Sequence, residues 1–148
     1  MCDWHGAVRD TGAMDVRLAA ARWARVWVSA WRSHDVDAVV ALYAEGCVHR
    51  STPFRKPYQG RAGVREYLVG AFADESVVVE VRFGTPLVDG DRAWVEYWAT
   101  LHDGDGAPVT LAGSAFARFH ADGLITEARD YWHQEAGHIQ PPASWDQV

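Results

Sequence analysis

The apolar residues of this chain change their spacing once, and that change constrains the fold more than any other feature. From Met14 to Ser33, residues Leu18, Trp23, Val26, Trp27, Ala30 and Trp31 fall on one broad helical face, with Trp23, Trp27 and Trp31 as an i, i+4, i+8 stripe. Asp35 is placed to cap a second helix, whose apolar face is Val36, Val39, Val40, Leu42 and Tyr43; Glu45-Gly46 ends it, with Gly46 in the left-handed position. Cys47 to Ser51 reads as a short strand, Thr52 to Gly60 as a Pro-containing loop, and Arg61 to Phe72 as a third helix with Val64, Tyr67, Leu68 and Phe72 inward. After Asp74-Glu75-Ser76, a boundary in this reading, alternation takes over. Strands are expected over 77–88, 92–101, 108–119 and 124–132, separated by Asp89-Gly90-Asp91, Asp103-Gly104-Asp105-Gly106 and Ala121-Asp122-Gly123. Helices followed by a meander of long strands predict an α+β fold, three N-terminal helices packed on one face of a curved antiparallel sheet.

One domain suits the 148 residues, with boundaries expected at 14 and 133, a flexible tail over 1–13 and a polar tail over 134–148. Eight Trp are unusual, and each indole N–H wants a partner, so they point to a core or cavity with polar edges. The net charge of −6, without a basic cluster, argues against a nucleic-acid partner. No stretch approaches the ~18 apolar residues of a membrane span, and Asp3, Arg9 and Asp10 interrupt any signal-like apolar run, so a cytoplasmic location is expected. Cys2 in the tail and Cys47 in a strand are not expected to pair; Cys47 reads as a small buried apolar residue.

Three segments together resemble the nuclear transport factor 2-like superfamily, and within it the SnoaL-like group. They are Asp35-Val36-Asp37-Ala38-Val39-Val40-Ala41-Leu42-Tyr43-Ala44-Glu45 after a Trp-bearing helix, Pro53-Phe54 with Gly60-Arg61-Ala62-Gly63-Val64-Arg65-Glu66-Tyr67-Leu68, and Ala121-Asp122-Gly123-Leu124-Ile125-Thr126-Glu127-Ala128-Arg129-Asp130-Tyr131-Trp132. The resemblance covers residues 14–133. It implies a cone in which helices and a strongly curved sheet enclose one pocket, often a homodimer through the outer sheet face, and in several members cofactor-free isomerase, cyclase, hydrolase or dehydratase chemistry. Others of the group only bind hydrophobic ligands or serve assembly, so fold does not decide function.

Asp130 stands where the resemblance places the acid/base aspartate of polyketide cyclases, after the Gly-x-Ile-x-Glu pattern Gly123 to Glu127. Alternation puts Thr126, Ala128, Asp130 and Trp132 on one strand face; if that face lines the pocket, desolvation raises the Asp130 pKa. The alternative is a carboxylate held structurally by Arg118, Arg129 or a backbone donor. His49 is a second acid/base candidate, near where ketosteroid isomerases carry an aspartate; the alternative is a half-exposed strand histidine. Trp27 occupies the place of the isomerase tyrosine, the isomerase aspartate falls near Ser51 or Thr52, and Trp94-Val95-Glu96-Tyr97-Trp98 lacks the Arg and Asp of epoxide hydrolases. Candidate residues for holding a small, largely apolar ring compound are Trp27, Trp31, Tyr43, Phe54, Tyr58, Trp94, Glu96, Trp98, Phe116 and Trp132, with Tyr67 a further wall residue. Glu96 is read as bridging to the substrate or, preferably, as pairing with Arg118. His102 reads as a turn residue. No metal or other cofactor is expected: His133 and His138 are five apart, and neither a calcium loop nor a phosphate-binding glycine loop is present.

Overall fold

The computed structural model describes residues 14–145. The helices are α1 (Val16–Ser33), α2 (Val36–Val40) and α3 (Gly60–Ala73). The strands are β1 (Tyr43–Arg50), β2 (Tyr58–Gln59), β3 (Glu75–Phe83), β4 (Leu87–Asp89), β5 (Arg92–Asp103), β6 (Pro108–Phe119) and β7 (Ile125–Ala136). Cys2, within the expected N-terminal tail, lies outside the described residues, as does the end of the C-terminal one.

The sheet runs β2-β1-β7-β6-β5-β3, with β4 also paired to β5. Every pair is antiparallel except β1 with β7, which places the last strand parallel to the first long one. The helices pack on one face, as the change of period predicts, and the architecture is α+β with an open, mixed sheet. Register shifts interrupt β3–β5 and β6–β7, and such bulges increase local bend and twist.

Local chemistry explains most of the element ends. Asp15 caps α1 by accepting from Arg17 N at 2.8 Å, and Asp35 caps α2 by accepting from Ala38 N at 3.0 Å. α2 is shorter than the sequence suggests: it stops at Val40, and Tyr43 opens β1 instead of continuing a helical face. Gly46 therefore lies within a strand and caps nothing. The expected 77–88 strand divides at Gly84-Thr85-Pro86 into β3 and β4, both held by β5. Asp103 closes the β5–β6 turn by accepting from Asp105 N and Ala107 N. β7 runs beyond Trp132 to Ala136, and Ile139 is then tied down, its N–H donating to Thr110 Oγ1 and its carbonyl accepting from Trp98 Nε1.

A hollow remains between the helices and the concave side of the sheet. The concave side of the sheet carries Ala93, Ala99, Ala115, Ala117 and Ala128, all buried. α1 lays Trp23, Trp27 and Trp31 over this side of the sheet, where they meet the rings of Phe119, Phe83 and Tyr97. Leu18, expected on this face, is instead exposed. Cys47 is fully buried and unpaired, as an apolar core residue.

Candidate active site

A cavity of about 730 Å³ lies between the helices and the concave sheet face. Its walls include Trp23, Trp27 and Trp31 from α1, Tyr67, Leu68 and Phe72 from α3, and Phe83, Tyr97 and Trp132 from the sheet. The rings interlock. Phe83 stacks on Trp27 and on Tyr97, and Trp31 meets Tyr97 edge-on with centroids 5.7 Å apart. This is a largely aromatic hollow whose lining also carries charged side chains, among them Arg55, Glu66, Glu75 and Asp130, and a polar group set in an apolar wall can orient a ligand strongly.

Asp130 is one of those groups. Ala128, Asp130, Trp132 and Gln134 of β7 all line the cavity, as the expected alternation has it; Thr126, expected on the same face, does not, because a register shift at the start of β7 buries Ile125 instead. The parallel β1–β7 pairing sets His49 opposite Ala128, which brings the imidazole beside the next inward side chain, Asp130. His49 Nε2 lies 3.5 Å from Asp130 Oδ2. At that distance the two make no hydrogen bond, so Nε2 is buried without a partner beside the carboxyl. The other ring nitrogen, Nδ1, lies 3.2 Å from the Tyr43 hydroxyl, and the Tyr67 ring packs against the imidazole at 4.5 Å.

Neither Arg129 nor Arg118 holds Asp130. Arg129 bonds Glu127 at 2.6 Å, and Arg118 reaches Asp91 and Glu127. With no cation to stabilise its anion, burial alone pushes the Asp130 pKa up to about 8, and burial pulls His49 down to about 4. At neutral pH the pair is thus a carboxylic acid facing a neutral imidazole. The same burial, reinforced by the nearby Asp130, raises the hydroxyls of Tyr43, Tyr67 and Tyr97 well above their ordinary value, so they act as neutral hydrogen-bonding groups.

The other expected site residues divide. Trp27, Trp31, Tyr43, Tyr58 and Trp132 line the cavity. The Trp132 indole donates to the Ser51 carbonyl at 2.8 Å, which fixes its ring as a wall. Five do not line it. Phe54 sits fully exposed on the loop after β1. Trp94, Glu96 and Trp98 occupy the outer face of β5, because the inward positions of that strand are Ala93, Val95, Tyr97, Ala99 and Leu101. Phe116 lies on the same outer face, under the Arg129 guanidinium. Nor does Glu96 pair with Arg118: its cross-strand neighbour is Ser114, while Arg118 stands opposite Arg92.

Tyr97 and Glu75 are two of the cavity residues that sequence reasoning passed over. Tyr97 was masked by the more aromatic Trp94/Trp98 face of its own strand. Glu75 reads as a turn residue in sequence, but it opens β3 and lines the cavity. Its carboxylate accepts from the Trp31 indole, 44 positions away, and lies 3.0 Å from His34 Nε2. A period-based reading has no signal for such a partner. His102, read as a turn residue, ends β5 and packs against His138. Among the described residues there is no cluster of three or more His, Cys, Asp or Glu side chains that could hold a metal ion, and no helix long and apolar enough to cross a membrane.

A family model for the SnoaL-like domain matches residues 24–128. No curated protein matches the chain. Among solved structures, it is similar to SalBIII, described as an epoxide hydrolase/cyclase-like enzyme in pyran ring formation in the polyether salinomycin (20% identity over 82% of this chain and 98% of that one, TM-score 0.70). A hypothetical protein with a ketosteroid isomerase-like fold from Catenulispora acidiphila, solved with trimethylamine, is 21% identical over 72% of this chain and 82% of its own, with TM-score 0.63. A nuclear transport factor 2-like protein of unknown function from Exiguobacterium is 14% identical over 78% of this chain and 98% of its own, with TM-score 0.65.

Proposed function

From the premise that this chain belongs to the family of SnoaL-like domains, we propose that it is a cofactor-free enzyme of the isomerase, cyclase, hydrolase or dehydratase type. Its substrate is a largely apolar, ring-containing metabolite, and Asp130 moves the proton. The observation that carries this reading is the buried Asp130 carboxyl at the wall of an aromatic cavity, facing the unpartnered Nε2 of His49.

Protonated at neutral pH, Asp130 acts first as a general acid. Its O–H proton goes to a carbonyl, epoxide or leaving hydroxyl oxygen of the substrate. The carboxylate left behind then takes a proton back from the carbon, hydroxyl or water that completes the reaction, so the enzyme returns unchanged. His49, neutral, accepts transiently from the acid and holds its orientation, while the aromatic walls exclude water. Non-catalytic capture of a hydrophobic metabolite in the same cavity is the alternative. It is distinguished by ligands that perturb tryptophan emission and are recovered unaltered.

The test is a pH profile of kcat/KM on a substrate found by screening cyclic ketones, epoxides and alcohols. An acid with a pKa of about 8 must be protonated in the free enzyme, so the rate is flat near pH 7 and falls above about 8. A rate that climbs through this range would make the carboxylate a base and overturn the assignment.

The outer sheet face supports a homodimer as part of the same reading. Trp94 and Tyr131, both more than a third exposed, stack at 5.7 Å beside Phe116, and exposed Leu87 pairs with Trp94 across β4–β5. Contiguous aromatic surface of this kind is suited to burial against a second copy. Sedimentation at micromolar concentration is expected to give a dimer that Trp94→Asp dissociates; a wild-type monomer throughout would rule it out.

A further inference from the structure

The geometry points to a second polar pole in the cavity: Glu75, fixed by Trp31 and His34, is the acceptor for a hydroxyl donor on the substrate. The inference rests on the small-molecule reading of the cavity but not on Asp130 being catalytic.

Glu75 lies at the cavity wall with its side chain only 9% exposed. Both carboxylate oxygens lie 3.0 Å from the Trp31 indole nitrogen, which carries a single hydrogen, and Oε2 also lies 3.0 Å from His34 Nε2. Burial raises the Glu75 pKa, while the hydrogen bonds from Trp31 and His34 favour its anion; as the anion it has about four lone-pair sites, so two donors leave it acceptor capacity. His34 is held for this contact. It terminates α1 in the left-handed conformation (φ 53°), and its ring stacks on Phe72 at 4.8 Å. A carboxylate braced from two elements at the edge of an apolar hollow has a fixed direction, which is what a specificity contact requires.

The pole is separate from Asp130. Glu75 belongs to β3 and Asp130 to β7, at opposite sides of the β5–β6 pair. Trp31, which donates to Glu75, is in edge contact with Tyr97, and Tyr97 and Tyr67 both feel the Asp130 charge. A ring-containing ligand lying along this wall presents one end to Asp130 and the other to Glu75. Since Trp31 and His34 already take part of the carboxylate's acceptor capacity, the fitting group is a hydroxyl, with one hydrogen to donate, in preference to an ammonium with three.

The experiment isolates Glu75 by removing the other pole. Dissociation constants of 2-naphthol and 2-methylnaphthalene, equal in shape and differing in a donor, are measured by ligand-observed NMR. In Asp130→Leu, 2-naphthol is expected to bind about tenfold more tightly, the range of a hydrogen bond to a charged acceptor. In Asp130→Leu/Glu75→Leu the two probes are expected to bind alike. Asp130→Leu/Glu75→Gln, which keeps an acceptor for Trp31, preserves the fold if the double Leu variant does not, and is expected to lose most of the preference. Equal binding in Asp130→Leu, or a preference that survives loss of the Glu75 carboxylate, overturns the inference alone. Failure of the wild type to bind either probe removes the small-molecule reading itself, and the inference with it.

Discussion

Asp130→Asn is expected to lower turnover by about 10²–10⁴-fold, the range for loss of a positioned acid or base, while ligand affinity changes little. The amide keeps the shape of the carboxyl and can still occupy the place beside His49, but it carries no proton that it can release and recover. The cavity walls are untouched, so a ligand held by Trp27, Trp31, Tyr97 and Trp132 remains held. The split between kcat and affinity separates a reacting group from a packing group: removal of a structural carboxylate would alter stability or binding before turnover. A substrate converted at the wild-type rate by Asp130→Asn would leave Asp130 without a chemical role.

Gly113→Ala is expected to destabilise the fold by about 3 kcal/mol, the upper range for overpacking a tight site, which for a chain of this size lowers Tm by roughly 6–12 °C. Gly113 pairs with Trp132 across β6–β7. A Cβ there would collide with the Tyr131 carbonyl oxygen and come within 2.7 Å of Trp132 Cα and Cβ. Backbone, not a flexible side-chain tip, would have to yield. The strain falls between the strand that carries Asp130 and its neighbour, so a variant that folds should also bind ligand more weakly. Thermal unfolding followed by circular dichroism measures it; a Tm within about 2 °C of wild type would mean that the strands have room the geometry does not show.

These two residues also mark how far the sequence was legible. The period change gave the α+β class, the three helices and every long strand, because those signals are local. The inward face of β7 was legible from Ala128 onward, where alternation is regular and one face carries Asp130 and Trp132; the register shift that buries Ile125 instead of Thr126 has no periodic trace. β5 was misread for the same reason. Its outer face holds Trp94, Glu96 and Trp98, a richer pattern than inward Ala93, Val95, Tyr97 and Ala99, yet small inward residues are what leave a cavity open. Richness in aromatics measures apolar area and says nothing of which side is concave. The parallel seating of β1 on β7, which delivers His49 to Asp130, and the reach of Trp31 to Glu75 are long-range facts without a periodic trace.

The proposed chemistry depends on a carboxyl kept neutral by burial beside an imidazole kept neutral by the same burial. The direct measurement is the ¹³C chemical shift of the Asp130 side-chain carboxyl as a function of pH, assigned by its disappearance in Asp130→Asn. The expected result is a titration midpoint of about 8, with the protonated shift persisting through pH 7. A midpoint near the ordinary carboxylate value of about 4 would mean that Asp130 is an ion in contact with water or a cation, and would contradict the site as described.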